Sequence, residues 1–316
     1  MRSLVRGFKI TGVGVGLPSN TKSNLDLKVN SPVNEIWTQE HLGIINRGVL
    51  LENETLSDLV FNATKSALKG SGNNTNPELI VVATGTPDYT NPSMAMILHQ
   101  KLGLGDNVMA FDLQAVCNGF SYSLSSALSI ADNAKLNSFL VVGADQFSKI
   151  SDPNSRDVVY FGDGAGAVSL ERDDSGKATF IFDHYAQGQN WADFKTSPGG
   201  YFEMIGSAVY ETVKEKVPSA VFKLLKDCNL VVSDIDYFVT HQPSKVVLDM
   251  LEMELNIPKG RLVRDYVNNG NTASASVPIA LNSIWDNYEK KSGTICFISF
   301  GAGWTWSVGL YNPLGL

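Results

Sequence analysis

Cysteine is scarce in this 316-residue chain: there are three, Cys117, Cys228 and Cys296. An odd, sparse set in a long chain is no disulfide framework, so the thiols are expected to be reduced and available for chemistry. Charge is scarce too, at 18% of residues with a net charge of −7. A nucleic-acid binder needs a basic face to displace counterions from phosphates, and this composition offers none. No apolar run approaches the roughly 18 residues of a membrane span. Lys9 interrupts the N-terminal stretch that a secretory signal would use. A cytoplasmic protein is expected. His, Cys and Asp nowhere cluster at metal-ligand spacing, so neither a metal nor a redox cofactor is expected.

Apolar residues make up 43% of the chain, enough for one large core or two packed together. The clearest organisation is internal repetition with a period of about 155 residues, which fits a duplicated domain rather than a solenoid. Leu79–Thr84 (LIVVAT) pairs with Asp236–Thr240 (DYFVT), and Cys117–Leu128 (CNGFSYSLSSAL) pairs with Asn271–Leu281 (NTASASVPIAL). Ser138–Gly143 (SFLVVG) pairs with Thr294–Phe300 (TICFISF), each followed by a Gly-rich stretch, Phe161–Leu170 and Phe300–Leu310. The apolar runs read as short buried strands, and Leu124, Leu128 and Ala131 fall at helical spacing. The charged segment Glu171–Lys177 is the natural joint. These patterns predict an α/β fold of two pseudo-twofold βα halves, 1–174 and 175–316, each with a mixed sheet. On this reading Cys117 and Asn271 hold nearly equivalent places and meet near the pseudo-axis.

Cys117 is the candidate nucleophile. It is predicted at a helix N-terminus, which favours thiolate, with Gly119 leaving room for a substrate. A cysteine taken blindly is more often a buried structural thiol, and Cys296, within a strand-like run, and Cys228, at a helix end, keep that reading. Of the four histidines, His241 directly follows a buried strand, where ligand sites in α/β sheets gather. His41, His99 and His184 lack that setting. Asn271 sits in a polar turn, and the repeat raises it from an ordinary turn residue to a candidate donor beside Cys117. Gly12-Val-Gly-Val-Gly16 has the wrong spacing for dinucleotide binding and is followed by Pro18, so it reads as a strand ending in a turn.

Together, Asp112–Phe120 (DLQAVCNGF), Phe161–Ala167 (FGDGAGA), His241-Gln242, Gly270–Val277 (GNTASASV) and Gly301–Trp306 (GAGWTW) resemble the β-ketoacyl-acyl-carrier-protein synthase III group over essentially the whole chain. The resemblance implies a thiolase-like fold with five-stranded sheets in αβαβα layers. It implies an acyltransferase in which Cys117 takes an acyl group from a thioester. His241 and Asn271 then assist decarboxylative condensation with a malonyl-type or β-ketoacyl thioester, while the backbone N–H groups of Cys117 and Ala302 form an oxyanion hole. Acyl-CoA and malonyl-type thioesters are the implied substrates, an acyl-carrier protein a further partner, and a homodimer the implied assembly. Trp37, Arg156, Phe161 and Met204 are the substrate-binding candidates, together with Asn91, which the resemblance directs at a neighbouring subunit's acyl pocket.

The chain departs from the family at several points. His41 replaces an arginine that serves CoA. Asn91 replaces a bulky apolar residue, pointing to a polar or enlarged acyl site. The helix after His241 carries Asp249 and Glu252 where basic residues usually attract a carrier protein. Three other readings compete: a cysteine hydrolase with a Cys-His-Asn set, acyl transfer to oxygen or nitrogen, and a non-catalytic partner subunit.

Overall fold

A computed structural model describes residues 1–27, 35–70, 76–291 and 293–316. In chain order the sheet strands are β1 (Arg2–Arg6), β2 (Phe8–Gly16), β3 (Leu79–Ala83), β4 (Met109–Leu113) and β5 (Ser138–Gln146). They continue with β6 (Asp163–Arg172), β7 (Thr179–Ala186), β8 (Tyr237–Thr240), β9 (Ile295–Gly301) and β10 (Thr305–Asn312). The principal helices are α1 (Leu56–Gly70), α2 (Met94–Leu102), α3 (Gly119–Ala134), α4 (Gly206–Asp227), α5 (Lys245–Glu254) and α6 (Ser276–Lys291).

Two five-stranded mixed sheets result, ordered β2-β6-β5-β3-β4 and β1-β7-β10-β9-β8. In the first, β3 runs parallel to β4 and β5 while β6 is antiparallel to β5 and β2. The apolar run of β3 is continuous because both its faces are buried. Leu79 and Val81 join the core between the sheets, whereas Ile80 and Val82 pack outward with α1 and α2. Helices α3 and α6 fill the space between the sheets, through Phe120, Leu124 and Leu128 on one and Val277, Ala280 and Leu281 on the other. Outside the second sheet, Val217, Val221 and Leu224 of α4 join Leu248 and Leu251 of α5 over Phe238, Ile298 and Leu310. The layers are therefore α, β, α, β, α, as the family resemblance implies.

The alternate glycines of β2 have a packing role. A Cβ at Gly12, Gly14 or Gly16 would fall 2.0, 2.3 or 2.0 Å from the backbone oxygens of Ala67, Ala63 or Leu59 on α1. Helix α1 lies directly on that strand, and only glycine permits the approach.

Two details differ from the sequence expectation. First, β1 precedes β2 in the chain yet pairs with β7 of the second sheet, Arg2 opposite Asp183. Gly7, at φ +79°, turns the chain between the two strands, and an Arg2–Asp183 ion pair of 2.7 Å holds the exchange. The polar run RSLVR carries no signal for this crossover. Second, the repeat register is 157 rather than about 155. Val116 and Ala273 share a left-handed backbone, φ 47° and 48°; α3 and α6 begin at Gly119 and Ser276; β5 and β9 begin at Ser138 and Ile295 (273 − 116, 276 − 119, 295 − 138). The structural counterpart of Cys117 is thus Ser274, and Asn271 lies three residues earlier. Pairing Cys117–Leu128 with Asn271–Leu281 by residue pattern misaligned the turns, because turn geometry rather than residue identity is what repeats.

Candidate active site

Cys117 lies in the one-turn 3-10 segment Val116–Asn118 that leads into α3, so its predicted place at a helix start is correct. The expected lowering of its thiol pKa is not what its surroundings favour. The side chain is only 6% exposed, and burial, followed by the nearby Asp145 carboxylate, pushes the thiol up. A sequence motif shows the helix but not the depth of the site. The loop after β9 presses on this turn: a Cβ at Gly301 would stand 2.9 Å from Asn118 N and 3.1 Å from Cys117 N. Glycine there lets the loop pack directly on the Cys117 turn.

His241 follows β8 and is buried. Its Nδ1 is 2.7 Å from Ser276 Oγ, and its ring meets Phe300 edge-on at 5.1 Å. Burial lowers its pKa to about 3, so the imidazole is neutral at physiological pH. Asn271 is tied by backbone hydrogen bonds to the segment before β6: Asn271 N–H donates to Tyr160 O at 2.9 Å, and Gly162 N–H donates to Asn271 O at 3.0 Å. Its side-chain Oδ1 accepts from Ala273 N–H at 2.9 Å, which leaves the amide NH2 as the outward-facing donor.

Beneath the turn from Ala273 to Ser276 lies Asp145, fully buried. It accepts from Gly85 N–H (2.8 Å), Thr86 Oγ1 (2.8 Å), Ser274 N–H (3.0 Å) and Ser274 Oγ (2.6 Å). One carboxylate therefore ties the loop after β3 to the turn that carries Asn271. Asp145, Ser276 and Phe300 escaped sequence reasoning, since each acts through a contact that no local motif encodes.

Cys117, His241 and Asn271, from three separated segments, line one cavity of about 220 Å³ together with Trp37, Arg156, Phe161, Met204 and Ala302. Among the lining residues the Arg156 guanidinium stands 5.6 Å from the Trp37 ring, and His41 stacks on Trp37 with ring centroids 4.8 Å apart. Asn91 is exposed and outside this cavity. The wall nearest Cys117 is aromatic: Phe147, Phe161 and Phe202 pack with it, and Phe147 stacks on Phe161 at 4.6 Å. The side chains packed against Cys117 are therefore aromatic rather than polar. On α5, Asp249 pairs with Lys245 and with Arg264 (2.7 Å), and Glu252 with Arg264 (2.6 Å). The face that reads as acidic is internally compensated, with Val246 and Met253 exposed along it.

Models of the 3-oxoacyl-[acyl-carrier-protein] synthase III family match residues 111–188 and, for its C-terminal part, 225–312. The β-ketoacyl-[acyl-carrier-protein] synthase III of Ehrlichia ruminantium (strain Welgevonden) is 35% identical over 321 residues, covering 96% of this chain and 98% of that protein. The chain belongs to this family. It is an acyltransferase, a condensing enzyme of the β-ketoacyl synthase III type. The crystal structure of the Aquifex aeolicus VF5 3-oxoacyl-[acyl-carrier-protein] synthase III superposes with a TM-score of 0.90 at 32% identity, covering 97% of this chain and all of that one (100%). The priming β-ketosynthase of the R1128 polyketide pathway gives 0.89 at 27% identity, covering 99% of this chain and 98% of that one. Among the described residues no helix is long and apolar enough to cross a membrane.

Proposed function

We propose that Cys117 is the acyl-accepting nucleophile of this condensing enzyme and that His241 and Asn271 activate the extender. The observation that carries the reading is the shared cavity: one thiol, one neutral imidazole and one outward amide NH2, brought together from both halves of the chain. The 1–174 half supplies the nucleophile, and the 175–316 half supplies the two donors.

In the first half-reaction the Cys117 sulfur attacks the acyl thioester carbonyl as its proton leaves. The N–H groups of Cys117 and Ala302 hold the oxyanion, and the carrier thiolate departs and is protonated. In the second, His241 Nε2–H and Asn271 NH2 donate to the thioester carbonyl of a malonyl-type extender. Loss of CO2 then produces an enolate rather than a free carbanion. The enolate carbon attacks acyl-Cys117, the C–C bond forms, and the Cys117 thiolate leaves.

Trp37 and Arg156 form the CoA-facing contact, with Phe161 and Met204 lining the passage to Cys117. The compensated, partly apolar α5 face favours CoA-linked substrates over a carrier docked by charge. Strand β4 is a sheet edge with Met109 54% exposed, and an uncovered apolar edge supports pairing with a second copy, which would bring Asn91 to the partner's acyl site. The free thiols suit a cytoplasmic setting.

The test supplies an acyl-CoA with a malonyl thioester labelled at its free carboxyl. Label released as CO2 in step with a β-keto thioester supports condensation. Free acid alone indicates a hydrolase, and an ester or amide without CO2 indicates transfer to oxygen or nitrogen.

A further inference from the structure

The turn leading into α6 sets a hydrogen-bonding group against each of His241 and Asn271. Ala273 N–H occupies Asn271 Oδ1 at 2.9 Å, so that amide can only donate into the cavity. Ser276 Oγ stands 2.7 Å from His241 Nδ1. Its one proton has two acceptors in reach, His241 Nδ1 and Ala273 O at 2.8 Å. Ala273 O already receives the Ser276 backbone N–H, so it has a partner without the hydroxyl. Gln242 N–H points at the hydroxyl oxygen from 3.4 Å and occupies one of its lone pairs. Turning the hydroxyl proton to Nδ1 therefore orphans no group, and it fixes the ring proton on Nε2, the nitrogen left to the cavity.

We infer that Ser276 is a positioning residue that donates to His241 Nδ1 and so holds the imidazole as the Nε2–H tautomer. The turn from Ala273 to Ser276 thereby presets both His241 and Asn271 as donors to the extender carbonyl. This rests on the function proposed above, and it assigns Ser276 to the condensing half-reaction alone. The turn is held in register from below, where Asp145 binds Ser274 through both its N–H and its hydroxyl. Ala273 keeps a left-handed φ of 48° to make the turn.

The test compares the full-length protein with Ser276→Ala and Ser276→Thr in three measurements. These are acylation of Cys117 by acyl-CoA, followed by mass; CO2 release from a malonyl thioester; and the 15N shifts of His241. Ser276→Ala is expected to acylate at the wild-type rate and to decarboxylate about ten- to a hundredfold more slowly, the scale of loss when the group orienting an imidazole is removed. Ser276→Thr keeps the hydroxyl and should recover most of that loss. In the wild type the shifts should report Nε2–H. Equal slowing of both half-reactions, unchanged decarboxylation in Ser276→Ala, or a wild-type Nδ1–H tautomer would overturn the assignment. If Ser276→Ala does not fold, the wild-type shifts alone decide. A wild type that reports Nε2–H yet releases no CO2 would leave the tautomer assignment standing and reject the condensation reading.

Discussion

Phe300 meets His241 edge to face, ring centroids 5.1 Å apart and planes at 79°, and so closes the apolar side of the imidazole. That enclosure is part of the burial that lowers the His241 pKa to about 3. The ring is then neutral in the folded enzyme from about pH 4 upward. Decarboxylation should accordingly show no inflection from His241 between pH 5 and pH 8. A rate–pH profile with a limb near 6.5 that disappears in His241→Asn would contradict this.

Stability carries the complementary prediction. His184, which burial first and then the N-terminal amino group lower to about 4, and His241, at about 3, both start from an ordinary 6.5. Below pH 6.5 the unfolded chain binds protons that the folded chain refuses, so the histidine contribution to stability falls on acidification. It is fully present above 6.5 and is lost as pH drops toward the folded values of about 4 for His184 and about 3 for His241. His184→Gln can retain a hydrogen bond to Ser307 without the titration. Its Tm should fall less than that of the wild type between pH 7 and pH 5. Equal slopes would remove His184 from the account.

The two half-reactions should separate by residue. His241→Ala and Asn271→Ala should still accept an acyl group on Cys117 while decarboxylation drops by about a hundredfold or more, the usual scale for a positioned donor. Cys117→Ser should lose acylation. Intact mass for the first step and CO2 release for the second measure the split. Loss of acylation in all three variants would argue for a single shared role.

Gly301→Ala should impair the oxyanion site without unfolding the protein. Its new Cβ would lie 2.9 Å from Asn118 N and 3.1 Å from Cys117 N, against backbone rather than a flexible side chain. The loop must move, and acylation should slow by about tenfold or more, as for loss of an oxyanion donor. A variant with wild-type acylation would place the oxyanion hole elsewhere.

Strand runs, the helix start after Cys117 and the loop position of His241 were legible because apolar periodicity and chain punctuation encode them locally. The β1 exchange was not, since five mostly polar residues give no hint of which sheet they will join. Nor was the 157-residue register: Val116 and Ala273 share a φ, not a side-chain type. The thiol environment was misread for the same reason. Burial of Cys117 and the proximity of Asp145 are properties of the packed molecule, not of DLQAVCNGF. Charge on α5 was read as acidic because Arg264, which neutralises it, lies beyond the helix.

The direct test of the account is the mass of the proteolytic peptide containing Cys117 after a brief exposure to a panel of acyl-CoAs, with and without a subsequent malonyl thioester. The account predicts an acyl mass on Cys117 alone, removed by the malonyl thioester as a β-keto product appears. Acyl groups on Cys228 or Cys296, or an acyl-Cys117 that the malonyl thioester does not discharge, would contradict it.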